Sequence, residues 1–89
     1  MFKPKSIKEQ QLHRLKIARG HLNKVILMLE EDAYCIDVLH QSQAVQKALK
    51  ETDNLIMEHH LKTCAAESIS SGESEKAVKE IMEILKKRP

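Results

Sequence analysis

Apolar side chains recur at three- and four-residue spacing through most of the chain, and nowhere do they alternate as a half-buried strand requires. Leu12, Leu15, Leu22, Val25, Ile26 and Leu29 fall on one helical stripe. With Ser6 and Glu9 spaced as a capping box, they predict a first helix over residues 6–31. Gly20 weakens its middle slightly. Glu30-Glu31-Asp32 ends that helix poorly but suits the start of the next, because acids favour helix N-termini. The second predicted helix has Asp32 as N-cap and runs over 33–67, with Ile36, Leu39, Val45, Ala48, Leu49, Leu55, Ile56 and Leu61 as its apolar positions. No glycine or proline interrupts it. At ~35 residues it is about three times the usual helix length, so it needs a partner along its length. Ser68-Ile69-Ser70-Ser71-Gly72 reads as a loop. A third helix over 73–87 carries Ala77, Val78, Ile81, Met82, Ile84 and Leu85 on its apolar side and Lys86-Lys87-Arg88 at its C-terminus, where cations are favoured. No repeat, low-complexity tract or sheet pattern appears. The fold class is all-α, with three helices in one domain spanning 1–89.

The chain has 89 residues, no tryptophan, and Phe2 and Tyr34 as its lone Phe and Tyr. Leu, Ile, Val, Ala and Met must therefore make the core, which suits helix-on-helix packing between subunits. The net charge of +2 conceals an asymmetry. Residues 1–24 hold Lys3, Lys5, Lys8, Arg14, Lys16, Arg19 and Lys24 against Glu9 alone, while acids outnumber bases in the remainder. A basic third on a nearly neutral domain is compatible equally with a solvated helix face and with a surface that holds nucleic acid. Met1–Ser6 is basic but no apolar run follows to make a signal peptide, and no stretch reaches membrane-span length. These features point to the cytoplasm, where thiols stay reduced. The two cysteines there are ligands, redox groups or buried core residues rather than a structural disulfide.

Cys35, His60 and Cys64 carry the chemistry. His60 and Cys64 are four apart and stack on one face of a helix. If 35–64 is one helix, Cys35 and Cys64 are about 43 Å apart at ~1.5 Å per residue. One chain then cannot close a three-ligand site. Two antiparallel copies can, because each places Cys35 opposite the other's Cys64, and the site occurs twice by symmetry. Two thiolates and an imidazole suit Cu(I) or Zn(II). Three ligands favour trigonal Cu(I), since structural zinc usually takes four. His59 points about 100° away from His60 and faces solvent. His13, His21 and His40 have no spaced partners, although any could add a ligand for a harder metal. No nucleophile with a base, phosphate loop or carboxylate pair is present, so no enzyme is indicated.

Three runs resemble the copper-sensitive operon repressor family of bacterial metal-sensing regulators. They are Leu29-Glu30-Glu31-Asp32-Ala33-Tyr34-Cys35-Ile36-Asp37-Val38-Leu39, Gln43-Ala44-Val45-Gln46-Lys47-Ala48-Leu49 and Glu58-His59-His60-Leu61-Lys62-Thr63-Cys64. With Ser71-Gly72 and the helix that follows, the resemblance covers about Leu12 to Leu85. It implies a three-helix protomer, an antiparallel four-helix-bundle homodimer, and dimers associated into a homotetramer. It implies Cu(I) held by Cys35 of one subunit and His60 and Cys64 of the other. Tyr34 and Glu80 fall where copper sensors place outer groups that hydrogen-bond to and orient the ligands. It further implies that the apoprotein binds operator DNA through basic helical surface, and that copper releases it and derepresses copper-resistance genes.

The family commonly shows an Arg-Ile-Glu-Gly-Gln-like run in its first helix. Here Leu15-Lys16-Ile17-Ala18-Arg19-Gly20-His21 keeps the glycine, but Arg19 takes the acid position and His21 the glutamine position. Arg14 matches a basic DNA-contacting position, while Lys16, Arg19, Lys47 and Lys50 join the DNA-face candidates by charge. Related sensors respond to nickel or cobalt, to formaldehyde, or to persulfides. His13 and His21 leave the nickel or cobalt alternative open. His60 departs from the persulfide pattern and Cys64 from the formaldehyde pattern.

Overall fold

The computed structural model describes residues 6–88. Lys3 and Lys5 of the basic third lie outside them. The elements are α1 (Ile7–Glu30), α2 (Cys35–His60), a π-helical turn (Leu61–Ala65), α3 (Ala66–Ser70) and α4 (Ser74–Lys87). Among the described residues there is no strand. α2, the π turn and α3 follow one another without a break, so the protomer has three helical stretches. They divide after Ile56 into two compact units.

In the first unit, α1 begins as the spacing predicts. The Ser6 side chain accepts a hydrogen bond from the Glu9 N–H at 3.1 Å, which satisfies one of the free donors of the first turn. Its end differs from expectation. Asp32 does not cap the second helix. It adopts a left-handed backbone, with φ of 56°. The Asp32 N–H donates to the Leu29 carbonyl at 3.2 Å and the Ala33 N–H to the Met28 carbonyl at 2.9 Å. That pair of bonds is a Schellman stop, and Met28 and Ala33 supply its apolar contact. The second helix therefore starts at Cys35, two residues later than expected.

Val25 of α1 packs with Val38 and Val45 of α2, and Met28 and Ala33 close the cluster. The buried positions recur every seven residues, at Ala18 and Val25 on α1 and at Val38, Val45 and Thr52 on α2. Such a repeat makes a narrow antiparallel seam. All five residues are small, so the seam hides little apolar area. The larger side chains expected in the core, Leu12, Leu15, Leu22, Ile26 and Leu29 on α1 and Ile36, Leu39, Leu49 and Ile56 on α2, remain exposed within one copy. Thr52 is wholly buried, and its hydroxyl donates to the Ala48 carbonyl at 2.9 Å, which removes the cost of an unpaired polar group.

The second unit holds the end of α2, the π turn, α3 and α4. The segment Ser68–Ser70, expected as loop, is helical. The Ser70 hydroxyl donates to the Ala66 carbonyl at 3.0 Å and Ser71 to the Ser68 carbonyl at 3.1 Å, so these serines bond back to the helix rather than breaking it. The stop comes at Gly72, with φ of 90°. The Gly72 N–H reaches the Ile69 carbonyl at 3.2 Å and the Glu73 N–H the Ser68 carbonyl at 2.7 Å, a second Schellman stop. α4 returns against α3. Ala65 and Ala77 are the buried residues of this unit, while Leu61, Ile69, Val78, Met82, Ile84 and Leu85 stay exposed.

Candidate metal centre and nucleic-acid surface

The turn that ends α1 fixes where the first sulfur stands. After Ala33 the chain needs one more residue before helical hydrogen bonding resumes, and the Tyr34 carbonyl accepts from the Val38 N–H at 3.1 Å. Cys35 thus becomes the first residue of α2. Its thiol is free and exposed, and the neighbouring Tyr34 is 67 % exposed.

In the second unit His60 closes α2 and is half-buried, whereas His59 beside it is exposed, as its helical phase predicts. Cys64 lies inside the π turn, and its thiol is also free and exposed. Neither thiol is a core residue of the protomer, so the bland reading of two buried cysteines does not hold. The π register bonds residue i to i+5 and widens the helix, so four residues fall short of a full turn. Lys62, between them, donates to Glu58 at 2.9 Å, bracing the junction of α2 and the π turn with a favourably oriented i,i+4 pair. That hydrogen bond first, and the ammonium charge second, hold the exposed Glu58 carboxyl below its ordinary range. Glu80 sits on α4, exposed. Among the described residues no hydrogen bond joins it to His60.

Sequence reasoning passed over Thr63. Its hydroxyl donates to the His59 carbonyl at 2.7 Å and lies 3.7 Å from the Cys64 sulfur. The signal was available, since Thr63 is four residues past His59 and adjacent to Cys64.

Among the described residues no three His, Cys, Asp or Glu side chains of one copy converge as a metal site. The donor chemistry nonetheless fits a soft ion. Two free, solvent-accessible thiols and an imidazole are ligands for a thiophilic d10 metal.

The five basic candidates are all exposed, but they do not form one stripe. Arg14 borders the α1–α2 seam and approaches Glu51 of α2 at 4.0 Å, a contact the sequence did not suggest. At about 100° per residue, Lys16 lies roughly 160° around α1 from the seam, with Arg19 between. Lys47 and Lys50 occupy the outer side of α2, away from Val45. Among the described residues no helix is long and apolar enough to cross a membrane.

An all-helical protomer with two exposed thiols and exposed cationic helices is compatible with a metal-responsive regulator. The profile of the metal-sensitive transcriptional repressor family matches residues 7–87, and the chain belongs to that family. It is a regulator of transcription, not an enzyme. It is 42 % identical over 82 residues to the copper-sensing transcriptional repressor CsoR of Mycobacterium ulcerans, covering 92 % of this chain and 70 % of the relative. The copper-sensing repressor CsoR of Bacillus subtilis is 39 % identical over 80 residues, covering 90 % of this chain and 79 % of the relative. The fold is similar to the crystal structure of the copper-sensing repressor CsoR with Cu(I) from Geobacillus thermodenitrificans. That match has a TM-score of 0.85 at 34 % identity and covers 97 % of this chain and 90 % of the other.

Proposed function

We propose that this protein is a Cu(I)-responsive repressor, one metal-sensing and DNA-binding domain over its whole length, that holds operator DNA as apoprotein and leaves it when copper binds. The observation that carries the reading is the donor set. Cys35, His60 and Cys64 are present together on a repressor-family chain, and both thiols are reduced and reachable. Relatives that share about two-fifths of its residues are copper sensors.

Cys35 of one copy and His60 and Cys64 of another would hold the ion, which supplies soft Lewis acidity and nothing catalytic. The protein's part is to present two thiolates without their protons and an imidazole with one ring nitrogen free. Tyr34, next to Cys35, and Glu80, on α4, are the groups we assign to orienting the ligands. The exposed apolar flanks of α1 and α2 support pairing with a second copy, and then a dimer of dimers. Arg14, Lys16, Arg19, Lys47 and Lys50 supply the phosphate-facing charge. The absence of a membrane-spanning helix among the described residues is compatible with a cytoplasmic regulator.

The test is DNA binding by the reduced apoprotein to the region upstream of its own gene, titrated anaerobically with Cu(I), Ni(II), Zn(II) and a persulfide donor. Release by about one Cu(I) per protomer, and by none of the others, is the expected outcome. Release by nickel alone would move the site toward the histidines. Release only by the persulfide donor would make the protein a sulfur sensor built on Cys35 and Cys64. No DNA binding in any state would remove the repressor role.

A further inference from the structure

We propose that Arg19 of one copy pairs with Asp53 of a second, across the apolar face through which the two copies meet, and that this pair fixes the partner and its register. The inference takes its register from the divided metal site proposed above. Counted in sevens, Arg19 shares a helical step with Leu12 and Ile26, and Leu15 and Leu22 flank it a turn away. Asp53 shares a step with Leu39 and His60, with Leu49 and Ile56 flanking it. Both charges are exposed and interrupt the exposed apolar flanks of α1 and α2. Those flanks lie on one side of the antiparallel pair. Of the five basic candidates for DNA, Arg19 alone stands on that side.

An ion covered by apolar side chains needs a partner of opposite charge. Among the described residues neither Arg19 nor Asp53 forms an ion pair within one copy. Residues 15–23 contain no acid, so α1 offers Arg19 none within a turn. Position excludes Asp53 of the same copy. Arg14 approaches Glu51 at 4.0 Å. Five residues further along α1 is five back along α2, so Arg19 lies level with Gln46. The packing of Val25 with Val38 places it level with Ala44. Asp53 of that α2 is then roughly 10–14 Å away along the axis, at ~1.5 Å per residue. A second copy removes the distance. In the divided site Cys35 faces His60 and Cys64 of the other copy. Stepping back from that His60 to Asp53 matches the step forward from Cys35 to Ser42, and stepping back from Cys64 matches the step to Gln46. Asp53 of the other copy thus stands level with residues 42–46, where Arg19 already lies. Symmetry makes the pair twice. A guanidinium meets a carboxylate through two parallel hydrogen bonds. A slipped or unlike partner cannot supply them, so the pair selects both. The phosphate-facing charge then falls to Arg14, Lys16, Lys47 and Lys50.

The test exchanges the charges in full-length, reduced apoprotein, with Arg19→Asp in one chain and Asp53→Arg in another. Sedimentation over a dilution series measures association, and native mass spectrometry of chains with different tags shows which copies pair. Either variant alone sets like charges against each other in both pairs. Each should dissociate at about a hundredfold higher concentration than the unaltered chain. Mixed, the two should form one-to-one heterodimers about as tight as the unaltered dimer, because the two introduced charges meet each other and the two native ones do the same. A pair formed within one copy predicts no such rescue, since each chain keeps its own like charges. Unchanged association of both variants overturns the assignment, and so does a mixture no tighter than its components. Loss of DNA binding by Arg19→Asp with association intact also overturns it, and gives Arg19 to the phosphates. If a variant alone does not fold, the chain carrying both exchanges decides: it should associate as the unaltered chain does, and its failure sinks the pair. The association measurement uses no copper. A rescued dimer that binds no Cu(I) therefore removes the copper reading and leaves the pair, whereas an unaltered chain that stays monomeric removes the pair and the divided site together.

Discussion

Asp32 holds a backbone conformation that costs most side chains about 1–2 kcal/mol, and that acids and amides tolerate better. Replacing it tests the Schellman stop directly. Asp32→Gly should leave stability unchanged or raise it slightly, while Asp32→Val should lower it by about 1–2 kcal/mol in urea unfolding. Equal effects from both would mean that the side chain, not the backbone, matters there. Gly72→Ala should behave like Asp32→Val, because φ is positive there too, although a Cβ would meet open space. Gly72 was legible in the sequence as a stop. Asp32 was not. An acid after two glutamates fits an N-cap as well as it fits a left-handed stop, and nothing local separates the two. The proposed ligands Cys35 and Cys64 stand out in the sequence because the chain has only two cysteines. Thr63 escaped notice because a threonine matters only through the neighbours the fold places beside it.

At the scale of elements, spacing revealed the helices but not which apolar residues one copy buries. Period alone marks a stripe and does not say whether its centre or its flanks face the nearest helix. The centre is filled by Ala18, Val25, Val38, Val45 and Thr52, and small residues let α1 and α2 approach closely. Thr52→Leu should force that seam apart and cost about 1–3 kcal/mol. Thr52→Val should be nearly neutral, because the hydroxyl satisfies only itself through the Ala48 carbonyl. Thermal unfolding of the pair decides the point, and a tolerated leucine would mean the seam is loose. The π turn could not be read from Leu61-Lys62-Thr63-Cys64-Ala65, whose residues are unremarkable in a regular helix. The serines before Gly72 read as loop because serine favours turns, yet here their hydroxyls find carbonyls in the same helix.

For the molecule as a whole, the proposal that matters most is a site divided between copies. Mixing Cys35→Ala and Cys64→Ala protomers tests it. Each variant alone lacks one sulfur in every site. In a mixed antiparallel dimer, one of the two sites is whole, so Cu(I) binding and DNA release should return in part. If the mixture binds no better than either variant, the divided geometry is wrong. The proposed DNA-facing residues give a second test. Arg14→Ala should weaken DNA binding and flatten its dependence on salt by about one charge, leaving Cu(I) affinity intact. Glu51→Gln frees the guanidinium from its 4.0 Å carboxylate neighbour and should strengthen binding modestly, most visibly at low salt.

The outward-facing leucines and isoleucines have one more consequence, and it concerns abundance. A protomer that hides only small side chains draws its folding free energy from whatever covers the rest. With a second copy as the cover, stability becomes a mass-action quantity. Each tenfold dilution then removes about 1.4 kcal/mol from the assembled state. The melting temperature of the apoprotein should climb with protein concentration, and the dose of copper that empties the operator should depend on how many copies the cell holds.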